Sequence, residues 1–298
     1  MALQPKRIAL FSSYFETEAL PYYIKFYLNQ LRPHATHIVF ITTDAKPLRA
    51  EDANWLGEHV EQIVLVKNEG FDFGMWQKVL YQTEGIESFD ELILLNDSCV
   101  CFSDLDYYFN WHHKTPADVT GMTISNDVSL HIQSFFMVIK KPALSTVVNH
   151  IKSLPLRNTV FSEVIAMGEL GLSSEIMRKE FSIDALFVAQ RDDLKNPMYA
   201  HCLNLIKQHH IPLVKRKLFQ NYHMDAMLHI YGLTGSYHHR ALLKFIQTHH
   251  HLSDDMMTLL FSADPIKLNT TKRLKLYLKV LVKKLGNLKD WRTRDGLS

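Results

Sequence analysis

The chain has 298 residues, of which 47% are hydrophobic and 21% are charged, and its formal net charge is +2. This length and apolar content suffice for a sizeable core, and 11 glycines with 10 prolines exclude a collagen-like or low-complexity chain. The near-neutral charge gives the whole chain no basic character that would favour nucleic acid as a partner. The three cysteines are too few for a disulfide framework, so buried thiols are expected.

The first half of the chain alternates between short apolar runs and helical spacing. Apolar runs predict strands at 8–11, 37–42, 62–66 and 91–95, and helical spacing between them predicts helices at 20–31, 50–59 and 71–81. Strands separated by helices imply βαβ units and a sheet buried on both faces. We therefore predict an α/β fold with a mostly parallel central sheet, and a ligand site at the carboxyl ends of its strands.

The second half becomes increasingly helical. Two further strands are predicted, followed by helices at 143–153, 161–167, 174–179, 199–209 and 241–250; the strands are at 118–124 and 132–139. We therefore predict two regions, an α/β domain over 1–222 and a helical extension over 223–298.

Polar residues follow the second and third predicted strands. Asp44 ends the first of these loops, where it would accept hydrogen bonds from a nucleotide base or ribose, or else cap a helix. The second loop contains Asn68, Gly70, Asp72, Gly74 and Trp76. Its two glycines allow unusual backbone torsions or the close approach of a ligand. Because a simple strand-to-helix turn needs fewer special residues, we favour a binding role over a structural turn.

The fourth predicted strand runs directly into Asn96, Asp97 and Ser98. Oxygen donors at a strand end suit Mg²⁺ or Mn²⁺ bridging a diphosphate. A structural turn is the alternative interpretation.

Several segments, in this order along the chain, resemble the rhamnan synthesis protein F family. They are NEGFDFGMW at 68–76, ELILLNDS at 91–98, HIQSFFMVIKK at 131–141, SEVIAMGELGLS at 162–173 and IPLVKRKLF at 211–219. The resemblance spans approximately residues 5–220. It implies a GT-A-like glycosyltransferase that builds bacterial cell-surface polysaccharides.

The resemblance also bears on the donor, the acceptor and the binding of a metal ion. The donor would be a nucleotide sugar, with dTDP-rhamnose favoured, and the acceptor a growing or lipid-linked glycan. Asn96, Asp97 and Ser98 occupy the place of the Asp-x-Asp motif of GT-A enzymes, but the outer positions are not aspartate. Either Asp97 is the single ligand of Mg²⁺ or Mn²⁺, or lysine and arginine side chains hold the diphosphate without a metal. An inactive scaffold and another nucleotide-dependent enzyme, such as a phosphotransferase, remain alternatives.

Sugar transfer also requires a carboxylate that takes the proton of the acceptor hydroxyl. Glu169 resembles the acidic position that precedes Gly-Leu-Ser in the family, and we choose it as the base or acceptor-positioning residue, with Glu163 as the second candidate. His131 and Gln133 alternate with apolar residues and are candidates for acceptor binding, or else a solvated strand end. The basic triplet at 215–217 either meets a phosphate or lies on the surface.

The C-terminal end is strongly basic and amphipathic. Residues 272–294 contain nine basic side chains and one acidic side chain, whereas the other residues carry 24 basic and 30 acidic ones. Leucines recur at helical spacing along this segment, opposite a lysine-rich face. This pattern is typical of a helix lying on an anionic membrane. We therefore predict a cytoplasmic protein, peripheral on the inner face of the bacterial plasma membrane.

Overall fold

A computed structural model describes residues 5–15, 17–43, 47–191, 193, 196–219 and 239–261. Asp44 and the basic segment 272–294 lie outside these residues, as does much of the extension predicted over 223–298. No helix among the described residues is long and apolar enough to span a membrane.

The strands form one large sheet and one small sheet. They are β1 (Arg7–Ser12), β2 (His37–Thr43), β3 (Gln62–Val66), β4 (Glu91–Asn96), β5 (Cys99–Cys101), β6 (Val119–Ser125), β7 (His131–Ile132), β8 (Phe136–Lys140), β9 (Ile183–Val188) and β10 (Leu213–Lys215). The large sheet has the order β3-β2-β1-β4-β8-β6-β7, with β9 paired to β6. Strands β3, β2, β1 and β4 are parallel, and β8 runs antiparallel to both β4 and β6.

Helices and helical turns connect these strands. The α-helices are α1 (Tyr22–Leu31), α2 (Ala50–His59), α3 (Phe71–Gln82), α4 (Asp106–His112), α5 (Lys141–Ser153), α6 (Phe161–Val164), α7 (Gly171–Arg178), α8 (Pro197–Ala200), α9 (Cys202–His209), α10 (His239–His249) and α11 (Asp254–Phe261). A π-helix, Ile165–Leu170, joins α6 to α7 without a break. The predicted α/β fold with a mostly parallel central sheet is confirmed.

Apolar side chains fill both faces of the large sheet. Along β1, Ala9 and Phe11 belong to one buried cluster, whereas Ile8 and Leu10 belong to the other. Helix α1 packs against the first cluster, and helices α3, α5 and α7 pack against the second. Because alternate side chains are buried on opposite faces, β1, β2 and β4 are continuous apolar runs in the sequence.

Four features of the second half differ from the sequence prediction. The strand predicted at 132–139 is divided into β7 and β8, because residues 133–135 leave the sheet at the cavity described below. The helices predicted separately at 161–167 and 174–179 form one continuous helical segment, because the π-helix joins α6 to α7. Strand β9 was not predicted, and neither was the small antiparallel sheet formed by β5 and β10. Short strands with few residues give weak periodic signals.

The amino ends of β1 and β4 contain a buried charge network. Arg7 and Glu91, at the first positions of the two strands, form an ion pair and are 2% and 7% exposed. The other Glu91 oxygen lies 3.0 Å from Nε2 of the fully buried His112, whose Nδ1 is 2.7 Å from the Thr120 hydroxyl. This network lies at the sheet edge opposite the strand ends that form the candidate site.

Candidate functional site

A cavity of about 490 Å³ lies beside the carboxyl end of β4. Its walls come from five parts of the chain, namely the start of α3, the turn after β4, residues 133–135, the helical segment 161–170 and the region 196–217. A second cavity of about 250 Å³ adjoins it and is bounded by the ends of β1 and β3. Five residues line both cavities: Asp72, Asn96, Asp97, Ser98 and Phe161. The site therefore has two lobes on either side of the turn after β4.

The turn after β3 brings Asp72 to this shared wall. Gly70 and Phe71 both adopt positive φ values, of 76° and 54°, and so reverse the chain into α3. Asp72 accepts hydrogen bonds from the backbone N–H of Phe73 at 3.1 Å and from the Asn96 amide at 2.5 Å. Burial and the nearby charge of Glu169 raise the pKa of Asp72 to about 6.

The two glycines and the tryptophan of the 68–76 segment have structural positions. A Cβ atom at Gly70 would lie 2.6 Å from Leu156 Cβ, and one at Gly74 would lie 1.7 Å from the Glu69 carbonyl oxygen. Trp76 is fully buried in the core. None of these three residues lines either lobe, and their assignment to donor binding stays a prediction. Asn68 lines the smaller lobe.

Asp97 is surrounded by donors that belong to the protein itself. Its Oδ2 atom accepts hydrogen bonds from Ser13 Oγ and Tyr23 OH, each at 3.1 Å, and from Arg216 Nη1 at 3.0 Å. The guanidinium of Arg216 also donates to the Tyr23 hydroxyl. Burial and the Asp97 charge raise the pKa of Tyr23 above its usual value, so this hydroxyl stays protonated.

Glu169 lies on the π-helix and lines the larger lobe. Its Oε1 atom accepts a hydrogen bond of 2.6 Å from the backbone N–H of Ser134. The preceding Gly168 packs directly against the Phe73 ring, where a Cβ atom would lie 2.8 Å from a ring carbon. Single π-turns within α-helices are frequent at functional sites. The π-helix places the Glu169 carboxylate in the wall of the cavity. An uninterrupted α-helix would turn this side chain in a different direction.

Glu163 and His131 are not part of the cavity lining. Glu163 is exposed and its carboxylate accepts a hydrogen bond of 2.9 Å from its own helix start, the Val160 N–H. His131 is buried, with Nδ1 2.7 Å from the Ser129 carbonyl oxygen. Gln133 does line the larger lobe, and its Oε1 accepts a hydrogen bond from Thr123 Oγ1 at 2.7 Å. Of the two residues predicted to bind the acceptor, Gln133 therefore lines the larger lobe and His131 does not.

The basic triplet at 215–217 lines the larger lobe. Pairing of β10 with β5 places it there, and the Arg216 N–H donates to the Ser98 carbonyl at 3.0 Å. The Lys215 ammonium donates to Ser98 Oγ at 3.1 Å and lies 4.6 Å from the centroid of the Phe135 ring. The sequence left this triplet undecided between phosphate contact and the surface, because the β5–β10 pairing was not recognised.

The acidic residues of the cavity do not fit a divalent metal site of the Asp-x-Asp kind. The Asp97 oxygen that faces Arg216 already accepts three hydrogen bonds, and Asn96 and Ser98 contribute no charge. Within the described ranges, no group of three or more His, Cys, Asp or Glu side chains is arranged to hold a metal ion. Mg²⁺ and Mn²⁺ sites require carboxylate or other oxygen ligands that are free to coordinate.

The family model for rhamnan synthesis protein F matches residues 38–273 of the chain. The chain belongs to the rhamnan synthesis protein F family. This match includes each segment of the site except the residues contributed by β1 and α1. No curated protein matches this family member.

Several solved structures show weak likeness to this rhamnan synthesis family protein. A protein described as a nucleotide-diphospho-sugar transferase, from Desulfovibrio desulfuricans G20, is 11% identical with a TM-score of 0.40, over 62% of this chain and 80% of that one. Mannosyltransferase PcManGT from Pyrobaculum calidifontis, in complex with GDP-Man and Mn²⁺, is 9% identical with a TM-score of 0.43, over 95% and 88%. TM-scores below 0.5 are too low to transfer a function or a site.

Proposed function

We propose that this chain is a glycosyltransferase that moves a sugar from a nucleotide-sugar donor to a glycan acceptor. Membership of the rhamnan synthesis protein F family supports a glycosyltransferase. The observation that carries the proposal is the two-lobed cavity at the strand ends, which collects three carboxylates and three cations from separate parts of the chain. Ligands of open α/β sheets bind at this edge.

In this proposal, the donor spans the wall that the two lobes share. Its nucleoside occupies the smaller lobe, which Ser13, Asn68 and Phe71 line, and its sugar enters the larger lobe beside Asp72 and Asn96. We propose dTDP-rhamnose as the donor, on the family resemblance. The acceptor enters the larger lobe beside Gln133 and is a growing or lipid-linked glycan of the cell surface.

Glu169 is the proposed base of an inverting displacement. An acceptor hydroxyl oxygen attacks the anomeric carbon of the donor sugar, and its proton passes to the Glu169 carboxylate. The bond between the anomeric carbon and the diphosphate oxygen breaks, and the diphosphate leaves with the electron pair. Such positioned bases typically contribute about 10²–10⁴-fold to a rate. Asp72 is placed to accept hydrogen bonds from the donor sugar.

The replacement of aspartate by Asn96 and Ser98 favours one competing function. A protein that keeps the fold but has lost turnover would serve as a scaffold in a polysaccharide assembly complex. A nucleotide-dependent phosphotransferase is less well supported, because the chain contains no G-K-[ST] phosphate loop.

Turnover of nucleotide sugars separates these functions. We expect the full-length chain to release dTDP from dTDP-rhamnose, faster with a lipid-linked acceptor than without one, and to act less on the UDP- and GDP-sugars of the same panel. Chromatography of the nucleotides, with Mn²⁺ and with EDTA, gives the rates. Failure to turn over any donor and to gain thermal stability with any nucleotide would favour the scaffold.

The membrane surface is the proposed partner of residues 272–294. Their excess of basic side chains suits the anionic headgroups of the inner face of a bacterial plasma membrane. Deletion of 272–298 should abolish co-sedimentation with phosphatidylglycerol vesicles while leaving the melting temperature of the remaining domain unchanged. Undiminished co-sedimentation of the deleted form would contradict this proposal.

A further inference from the structure

The departing diphosphate needs positive charge nearby, and basic side chains that line the larger lobe supply this charge. Lys215, Arg216 and Lys217 are consecutive and all three line the cavity. They lie next to the turn at 96–98, where GT-A-like enzymes with an Asp-x-Asp motif would place a metal ion. A ligand can pair only with those of the three cations that the protein does not already pair with its own groups.

Arg216 is already bonded to other groups of the protein. Its guanidinium is paired with Asp97 at 3.0 Å and bonded to Tyr23, and its backbone N–H is bonded to Ser98. A metal ion that used Asp97 Oδ2 would have to displace this guanidinium, and Asp97 is only 8% exposed. Arg216 therefore neutralises the acidic residue on which metal binding would depend.

The two lysines are not held in a close ion pair of this kind, although Glu169 and Asp72 lie near enough to Lys215 to raise its pKa against the effect of burial. Among the described residues, neither Lys215 nor Lys217 has a carboxylate oxygen within ion-pair distance. The Lys217 ammonium lies 5.7 Å from the centroid of the Phe161 ring, at the wall shared by the two lobes. Desolvation by neighbouring protein atoms and the adjacent charges of Lys215 and Arg216 lower the pKa of Lys217, although the residue as a whole is exposed, as expected for a cation in a region of positive potential. An anion bound there would relieve this repulsion.

We propose that Lys217 and Lys215 bind the diphosphate of the donor in place of a divalent cation, while Arg216 occupies the metal-binding carboxylate of Asp97. This inference rests on the proposed function and specifies how the same site recognises its donor. It predicts a nucleoside diphosphate site that works without metal, and it divides the triplet into two lysines that bind the ligand and one arginine that binds Asp97. Two ammonium groups match the charge of a diphosphate diester.

Isothermal titration of the full-length protein with dTDP tests this inference. We expect dTDP to bind in EDTA, with a Kd that added Mn²⁺ changes by less than about threefold. Replacement Lys217→Gln should weaken binding about tenfold, because one charge-assisted hydrogen bond is lost. Lys179→Gln is the matched control, since Lys179 is an exposed lysine outside the cavity lining, and its Kd should equal that of the unmodified chain.

Two results would overturn the inference and leave the proposed function intact. One is binding of dTDP only when Mn²⁺ is present, and the other is a Lys217→Gln protein that binds as tightly as the Lys179→Gln protein. If dTDP, UDP and GDP all fail to bind in both EDTA and Mn²⁺, the proposed function itself is contradicted. Equal melting temperatures of the two variants would show that a weaker Kd reflects the lost charge and not a lost fold.

Discussion

Replacement of Glu169 by glutamine should lower the rate of sugar transfer by about 10²–10⁴-fold, the usual contribution of a positioned general base. Glutamine keeps the size of the side chain and its oxygen can still accept the Ser134 N–H, so the wall of the cavity should be preserved. It cannot take a proton from the acceptor hydroxyl. The melting temperature and the Kd for dTDP should therefore remain close to those of the unmodified chain.

Glu163→Gln is the matched control for this experiment. Glu163 is six positions earlier on the same helical segment, but its carboxylate accepts a hydrogen bond from the helix start and is exposed. Transfer by this variant should stay within about twofold of the unmodified rate, since removal of a helix-start contact acts on stability and not on chemistry. Equal activity of the two variants would contradict the assignment of Glu169.

Replacement of Glu91 by glutamine should produce the largest loss of stability among single substitutions at charged positions. Arg7 would then keep a buried guanidinium without its counter-charge, which typically costs about 3–5 kcal/mol. For a chain of this size we expect the melting temperature to fall by about 10 °C. Differential scanning calorimetry measures this change, and an unaltered melting temperature would contradict the importance of the network.

The surface pair of Glu175 and Arg178 provides the comparison. These side chains are also within ion-pair distance, at 2.6 Å, but Arg178 is 65% exposed. Exposed ion pairs contribute little because water already solvates both charges. Glu175→Gln should therefore leave the melting temperature unchanged within the precision of the calorimeter.

The same network sets a pH dependence of stability. Burial alone would raise the pKa of Glu91, but His112 and Arg7 outweigh it and lower the pKa to about 2. A carboxylate whose pKa is lower in the folded chain than in the unfolded chain stabilises the fold above the unfolded value of about 4.3. That contribution should disappear as the pH falls from about 5 through 2, and the Glu91→Gln protein should lack this part of the acid dependence.

The parallel part of the fold was predictable because β1, β2 and β4 are buried on both faces and the edge strand β3, although mostly exposed, keeps an apolar β-branched run. The runs at 8–11, 37–42, 62–66 and 91–95 lie within β1, β2, β3 and β4. The π-helix at 165–170 and the β5–β10 pair were not predictable. The first depends on packing of Gly168 against Phe73, and the second joins residues more than 100 positions apart.

The candidate site likewise contains residues that were predictable from the sequence and residues that were not. Asp72, Asn96, Asp97 and Ser98 were found because polar residues at strand ends of a parallel sheet converge on one edge. Trp76 is buried in the core, which the sequence did not reveal because an aromatic residue near a turn is compatible both with a ligand wall and with the core. The roles of Ser13 and Tyr23 as partners of Asp97 had no local signal, since they depend on the packing of β1 and α1 beside β4.

A crystal structure of the full-length chain with dTDP is the most direct test of the central claim, that the two-lobed cavity is the donor site. We expect the thymidine in the smaller lobe beside Asn68 and Phe71, and the diphosphate against Lys217 in the larger lobe. The guanidinium of Arg216 should still contact Asp97. A nucleotide bound elsewhere on the protein, or a cavity that stays empty at saturating dTDP, would contradict it.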